Sequence, residues 1–428
     1  MGTGVAVAAG LAGLPSRADA AKAPGDRHVS FSAWRGAELR AGTRDGTAVS
    51  SSGLVLRKPR ATRSYVDPYD TSAVSVTYDV GSWTSPVVKP GFGLTELVAS
   101  WDADTPDGTW VEVVVRGTVD DGTATDWFVL GRWAAKDPAD GGALHRTSVG
   151  GQATAAATVS VDTLVTLNDH TLRDWQLRVV LLRPTGSTDT PTVWLAGAMS
   201  SALPDEKQVA VSPVGAGRGI TLDVPTLSQE VHVGHYPQWD NGGEAWCSPT
   251  STAMVLGFWG KGPRAAETSW VDPRVDSQVD YAARNVFDYR YDGGGNWPFN
   301  TAYAARFGLE SFVTRLRSLT EAEEFIAAGI PLVAWVSFKD SKLDGAGYGT
   351  NGHLLVICGF TAEGNVVATT RRRTSSPTTG RSGWSMTERS SRPCGCRTRV
   401  GSSMSSTRPT VPCRRGTPRR TGEVLTQG

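Results

Sequence analysis

Cysteine is scarce in this chain: there are five in 428 residues, and only Cys247 and Cys358 precede residue 368. So few thiols supply no disulfide framework over that stretch, and the fold must rest on packed cores, for which the length allows two or three domains. Long apolar runs are missing too. No stretch after the first residues approaches the ~20 apolar residues of a bilayer span, which excludes a membrane-spanning helix. Histidine is limited to six positions, so the candidates for imidazole chemistry can be weighed one by one. The segment 368–428 lacks Phe, Tyr, Ile and Lys, holds one Leu, and carries 13 Arg against only Glu388 and Glu423. Such a segment cannot build a core. The near-zero net charge of the whole chain therefore conceals an acidic body and a basic tail.

Residues 1–21 read as the remnant of a secretory signal. The apolar run Val5 to Leu14 leads into Ala18-Asp-Ala20, a small-x-small cleavage pattern. The basic segment that should precede it is absent, so this start is expected to lie downstream of the true one. Export predicts a secreted, extracellular protein, and a secreted chain with so few cysteines invites a reactive-thiol reading of one of them.

From residue 30 to 202 the pattern is that of short strands, including Thr95–Trp101, Thr109–Val115, Trp127–Leu130, Ala157–Val161, Trp175–Leu182 and Thr192–Leu195, punctuated by Gly, Asp, Pro and Thr. This predicts an antiparallel β-sandwich as a front domain. Eight tryptophans fall in it, from Trp34 to Trp194. Aromatics in strands are usually core, and a cell-wall or glycan ligand is the functional alternative. Residues 203–222 read as a linker. From residue 223 the pattern turns to mixed α and β. Helices are expected after Cys247 and near 275–287, 299–306 and 320–328, with strands at 309–315, 331–337 and 353–360.

The segment Trp246-Cys-Ser-Pro-Thr-Ser-Thr-Ala-Met-Val-Leu-Gly-Phe-Trp259 places a cysteine directly before a helix. Ser248 can cap and Pro249 suits the first turn. A thiol there faces the positive end of the helix dipole, which is expected to lower its pKa, and the free N–H groups of the first turn can hold an oxyanion. Cys358, inside the apolar run Leu354–Cys358, fits a buried structural role instead. A thiolate nucleophile needs a base that takes its proton and returns it to the leaving group. His28, His145 and His170 fall in the front domain, and His232 and His235 lie in a polar loop before Cys247 where they could line the cleft. His353 opens an apolar strand after Gly349-Thr-Asn-Gly352. On context alone, a structural and a catalytic His353 are equally supported.

Three motifs stand together: Val224-Pro-Thr-Leu-Ser-Gln229, Trp246-Cys-Ser-Pro-Thr-Ser-Thr-Ala-Met-Val-Leu256 and Gly352-His-Leu-Leu-Val-Ile-Cys-Gly-Phe360. Over 223–367 the chain resembles the papain-fold bacterial cysteine peptidases, in particular the C-thirty-nine-like peptidases related to bacteriocin leader peptidases. Ser248 departs from the Gly usual in the wider family. Trp83 to Gly117 is similar to the front domain of larger secreted relatives. The resemblance implies a papain-like α+β domain with Cys247 as nucleophile, His353 as base and an upstream glutamine as oxyanion donor. Gln229 matches the family motif better, while Gln238 is nearer Cys247; Gln229 is preferred. The implied reaction is hydrolysis of an extracellular peptide or protein, with no metal or organic cofactor. A peptidoglycan or peptide amidase, an acyltransferase and a non-catalytic surface-binding protein are the alternatives.

The family also places Asn-Asp-Pro on the strand after the histidine, its Asp orienting the imidazole. Here the strand breaks off at Gly364-Asn-Val-Val367 and continues as Ala-Thr-Thr-Arg-Arg-Arg373. A natural disordered tail, a nucleic-acid arm and a metal site of Cys394, Cys396 and Cys413 are the ordinary readings, but aromatic interleaving and ligand spacing support neither of the last two. No nucleic-acid partner is expected. Shifting the reading frame by one base permits Asn-Asp-Pro-Ala-Ala over Ala368 to Arg373. It permits Val-Arg-Leu-Val-Tyr-Asp-Arg-Ala over Arg381 to Arg389, and Gly-Gly-Val-Val-Tyr-Val-Val-His-Pro over Arg399 to Arg408. A one-base slip near codon 367 is therefore expected, leaving 368–428 out of frame. The chain as it stands would then lack its orienting carboxylate and its last strands, and would be weak or inactive.

Overall fold

The computed structural model describes residues 26–204, 212–240, 242–338 and 350–369, together with the strands Trp384–Met386 and Gly401–Met404. The signal-like segment 1–21 and most of the tail lie outside the described residues.

Between His28 and Ala202 the chain forms two antiparallel sheets. One runs Ala157–Ser160, Thr163–Thr166, Glu96–Asp104, Thr192–Ala202, Gly53–Leu56, Thr47–Ser50, with His28–Arg35 also paired to Thr192–Ala202. The other runs Thr43–Asp45, Ser75–Thr84, Leu172–Pro184, Trp110–Val119, Phe128–Trp133, with Ala61–Val66 paired to Ser75–Thr84. Alternation decides which side chains meet. Leu97, Ala99, Trp101 and Ala103 of the first sheet share a core with Val111, Val113, Val115, Leu177, Val179 and Leu181 of the second. Trp83, Trp101, Trp110, Trp133 and Trp175 are fully buried, as a core role requires. Trp34, Trp127 and Trp194 are half-buried, and the Trp127 ring takes the guanidinium groups of Arg116 and Arg178 at 4.6 and 4.1 Å from its centre.

Among its described residues the second half contains four α-helices, α1 (Cys247–Phe258), α2 (Gln278–Val286), α3 (Trp297–Ala305) and α4 (Leu319–Ala327). Its antiparallel sheet runs Val313–Thr314, Gly401–Met404, Leu332–Phe338, Thr350–Phe360, Val366–Thr369, Trp384–Met386. The run Leu354–Phe360 is buried throughout, which is why it reads as continuous apolar sequence instead of alternating. In α1, Ser248 to Met254 and Leu256 are buried; the helix lies in the core against α2, α3 and the strand Thr350–Phe360. Asn296 caps α3, its side chain accepting from the Phe299 amide at 3.1 Å, and Pro298 sits in the first turn.

Three expectations change. The strand expected at 309–315 is only Val313–Thr314. Residues 212–222, read as the second half of a linker, are laid into this half. The Gly215 and Gly217 amides donate to the buried Glu323 carboxylate of α4 at 2.8 and 3.1 Å, and Leu222 donates to the Cys358 carbonyl at 2.7 Å. The tail, expected to be disordered and to leave the sheet short, supplies two of its strands. Ladder hydrogen bonds come from the backbone, so a short extended segment can fill a strand position even in a stretch poor in apolar residues.

The two halves share one core. The Phe299 ring of α3 lies 6.1 Å from the Trp101 ring and 5.4 Å from the Trp133 ring. It packs flush on Gly131, where an added Cβ would sit 2.9 Å from it. Around this contact the polar groups are paired across the junction. The Asp162 carboxylate accepts the Trp297 amide at 2.9 Å, Asp288 accepts the Ser148 amide at 2.9 Å, and Tyr289 donates to Asp137 at 3.0 Å. Arg284 pairs with Asp140 at 2.8 Å.

Candidate active site

Cys247 is the first residue of α1, and the helix has no side-chain cap: the cap position is Trp246, and the Ser248 hydroxyl is buried without a hydrogen-bond partner among the described residues. The expected Ser248 cap is therefore not made, because the tight turn through Gly243–Ala245 brings Trp246 into that position. Trp246 is fully buried and its indole donates to the Trp239 carbonyl at 2.5 Å, which anchors the loop before the cysteine.

The thiol faces the start of the strand Thr350–Phe360. The Leu354 amide donates to Cys247 Sγ at 3.5 Å, and the Ser251 hydroxyl donates to the Leu354 carbonyl at 3.2 Å. His353 is the neighbour of that amide. It is half-buried, stands opposite Val336 in the ladder, and follows Gly352, where a Cβ would lie 2.9 Å from the Trp335 indole nitrogen. Thus the structure brings the helix-opening cysteine to the strand end that bears the histidine.

The electrostatics depart from the expectation of a lowered thiol. Burial pushes the Cys247 pKa up, and the nearby Asp240 carboxylate adds to the rise. The Leu354 and Ser248 amides oppose it. Loss of water outweighs the amide N–H groups that face the sulfur. Burial lowers His353 to about 4. Both shifts favour thiol plus neutral imidazole over thiolate plus imidazolium.

Gln229 opens the 3-10 turn Gln229–His232 and is buried, its side-chain amide donating at 2.9 Å to the Glu244 carbonyl, three residues before Cys247. Gly243 makes the approach possible: a Cβ there would collide with the Gln229 carbonyl oxygen. Gln238 is exposed. Asp240 and Tyr291 escaped the sequence reading. Both feel the Cys247 site electrostatically, Asp240 accepts the Gly294 amide at 3.4 Å, and burial raises the pKa of each. They come from loops far apart in sequence, with no motif to flag them. Cys358 is buried and 3.5 Å from the Val367 carbonyl, and burial lifts its thiol to about 11, the environment of an inert thiol. Of the segment where Asn-Asp-Pro was expected, Ala368 and Thr369 are strand residues, and 370–373 lie outside the described residues.

Two family models match. One, described as Peptidase C39 N-terminal domain, covers residues 30–201; the other, described as Peptidase_C39 like family, covers residues 221–373. The chain belongs to the C39-like cysteine peptidase family. No curated protein and no solved structure matches it. No helix among the described residues is long and apolar enough to cross a membrane. In this C39-like chain both matched segments coincide with the two structural halves, so the front sandwich is part of the family architecture.

Proposed function

We propose that this chain is a secreted cysteine peptidase of papain-like arrangement, acting on extracellular peptides or proteins. The observation that carries the reading is the 3.5 Å contact from the Leu354 amide to Cys247 Sγ, which places the nucleophile candidate beside the residue that follows His353. In the reaction, His353 takes the Cys247 proton and the sulfur attacks the amide carbonyl. The Gln229 side chain and the Cys247 N–H stabilise the oxyanion. The imidazolium then protonates the leaving amine, and water activated by the same imidazole cleaves the thioester to release the acid. Gln229 is preferred over Gln238 because it is buried beside the loop that delivers Cys247.

The chain as it stands is an impaired form of that enzyme, its frame slipped near codon 367. One feature supports this. The strands Trp384–Met386 and Gly401–Met404 fall inside the two stretches where the shifted frame reads apolar strands.

The test is resequencing across codons 360 to 430, followed by assay of both forms on a quenched-fluorescent protein substrate. The repaired chain is expected to exceed the present one by about 10²–10⁴-fold, the scale of losing a triad carboxylate, and Cys247→Ala should abolish its activity. Full activity in the present 428-residue chain would overturn the frame reading; an active Cys247→Ala variant would overturn the peptidase reading.

A further inference from the structure

Behind the cysteine loop lies a cluster that the proposed peptidase chemistry does not use. His232 and Asp280 are both fully buried, and His235 is a quarter exposed. His232 and His235 come from one tight turn, closed by the His235 amide on the His232 carbonyl at 2.9 Å, with Gly234 between them at φ +76°. Asp280 projects from the first turn of α2. His232 Nδ1 lies 2.9 Å from Asp280 Oδ2, and His235 Nδ1 lies 3.9 Å from Asp280 Oδ1. Yet none of these atoms makes a hydrogen bond among the described residues: both ring nitrogens of His232, Nδ1 of His235 and both Asp280 oxygens are buried without a partner.

We infer that His232, His235 and Asp280 form a binding site for a divalent transition-metal ion of the zinc class. Buried polar atoms are ordinarily satisfied, and a single cation would take one ligand atom from each of these three residues, which lie within 4.8 Å of one another. A His–Asp hydrogen bond is the competing account. It would satisfy one nitrogen and one oxygen, and the 2.9 Å pair is not aligned as a hydrogen bond. With ligand bonds of about 2.0–2.2 Å, a tetrahedral ion separates its ligand atoms by about 3.3–3.6 Å, between the 2.9 Å of the His232–Asp280 pair and the 4.8 Å within which all three ligand atoms lie. Two imidazoles and a carboxylate suit zinc, with cobalt(II) as a faithful probe. The exposed side of His235 leaves room for water as a fourth ligand. The nearest cationic side chain on α2, Arg284, is engaged elsewhere, with Asp140 at 2.8 Å and over the Trp239 and Trp270 rings.

The ion would tie the Gln229–His235 segment to α2. His232 also sits with its ring 6.3 Å from that of Trp246, the residue before Cys247, so the clamp holds the oxyanion-side loop in place. The binding itself does not depend on the peptidase reading.

The test uses the full chain with Cys247, Cys394, Cys396 and Cys413 changed to Ser, which removes thiol ligands. After EDTA treatment and equilibration with zinc chloride, elemental analysis should find about one zinc per chain. Cobalt(II) should give the visible absorption of a low-coordinate site, and zinc should raise Tm by several degrees. His235→Ala, a partly exposed position chosen so that the variant folds, should lose the ion and the Tm shift; Asp280→Asn should weaken binding at least tenfold. Zinc retained at full stoichiometry in His235→Ala, or less than ~0.2 zinc per chain in the parent, overturns the site.

Discussion

Replacing Phe299 by Ala tests whether the two halves share a core. The ring is fully buried and meets Trp101, Trp133 and the bare face of Gly131. Its loss removes apolar contact on all three sides and leaves a cavity that two rigid indoles cannot close. Buried Phe→Ala changes cost about 3–5 kcal/mol, and the enclosed position places this one near ~4. Since α3 has its first amide held by Asp162 of the front domain, the loss should loosen the junction as well. At roughly 1–2 °C per kcal/mol for a cooperative unit of about 400 residues, since unfolding entropy grows with length, Tm should fall by about 4–8 °C in a thermal melt followed by tryptophan fluorescence. Limited proteolysis should then cut between residues 203 and 222 faster than in the parent. Gly131→Val attacks the same contact from the opposite side and should also destabilise, because its Cβ would stand 2.9 Å from Phe299 and 3.0 Å from Trp101. A Tm drop under ~3 °C for Phe299→Ala would refute the shared core and make the front domain an independent unit.

Asp162, raised by burial to about 6, makes stability depend on pH: its folded pKa exceeds the unfolded one, so the contribution is complete below pH ~4 and is lost as pH rises through 6. Relative to Asp162→Asn, the parent should lose about 3 kcal/mol across that window, and a pH-independent difference in denaturant melts would count against the assignment. Because burial raises Cys247 and lowers His353, alkylation of Cys247 by iodoacetamide in the present chain should climb only above the usual thiol value of about 8.5. A rate plateau between pH 5 and 7 would reveal a preformed ion pair instead. Gly243→Ala should cost the frame-repaired chain about 10²-fold in kcat/KM by pushing the Gln229 backbone away from the cysteine loop. Unchanged kinetics would remove Gln229 from the site.

Much of this protein was legible in its sequence because the deciding interactions are local. Alternation along Trp110–Val119 and Leu172–Pro184 sets which faces are buried, and the apolar run Leu354–Phe360 announces a strand buried on both sides. The helix after Cys247 and those at α2, α3 and α4 follow from periodicity and turn residues close in sequence. The cysteine, the histidine and the glutamine stand in motifs. Only the tertiary structure decided the rest, because it depends on separations that sequence distance does not encode. It set the thiol and imidazole shifts, since desolvation is a property of the enclosed site and not of the helix end alone. It also drew residues 212–222 from linker to sheet partner, placed Phe299 in the front domain's core, and carried Asp280 from α2 to the two histidines of the cysteine loop.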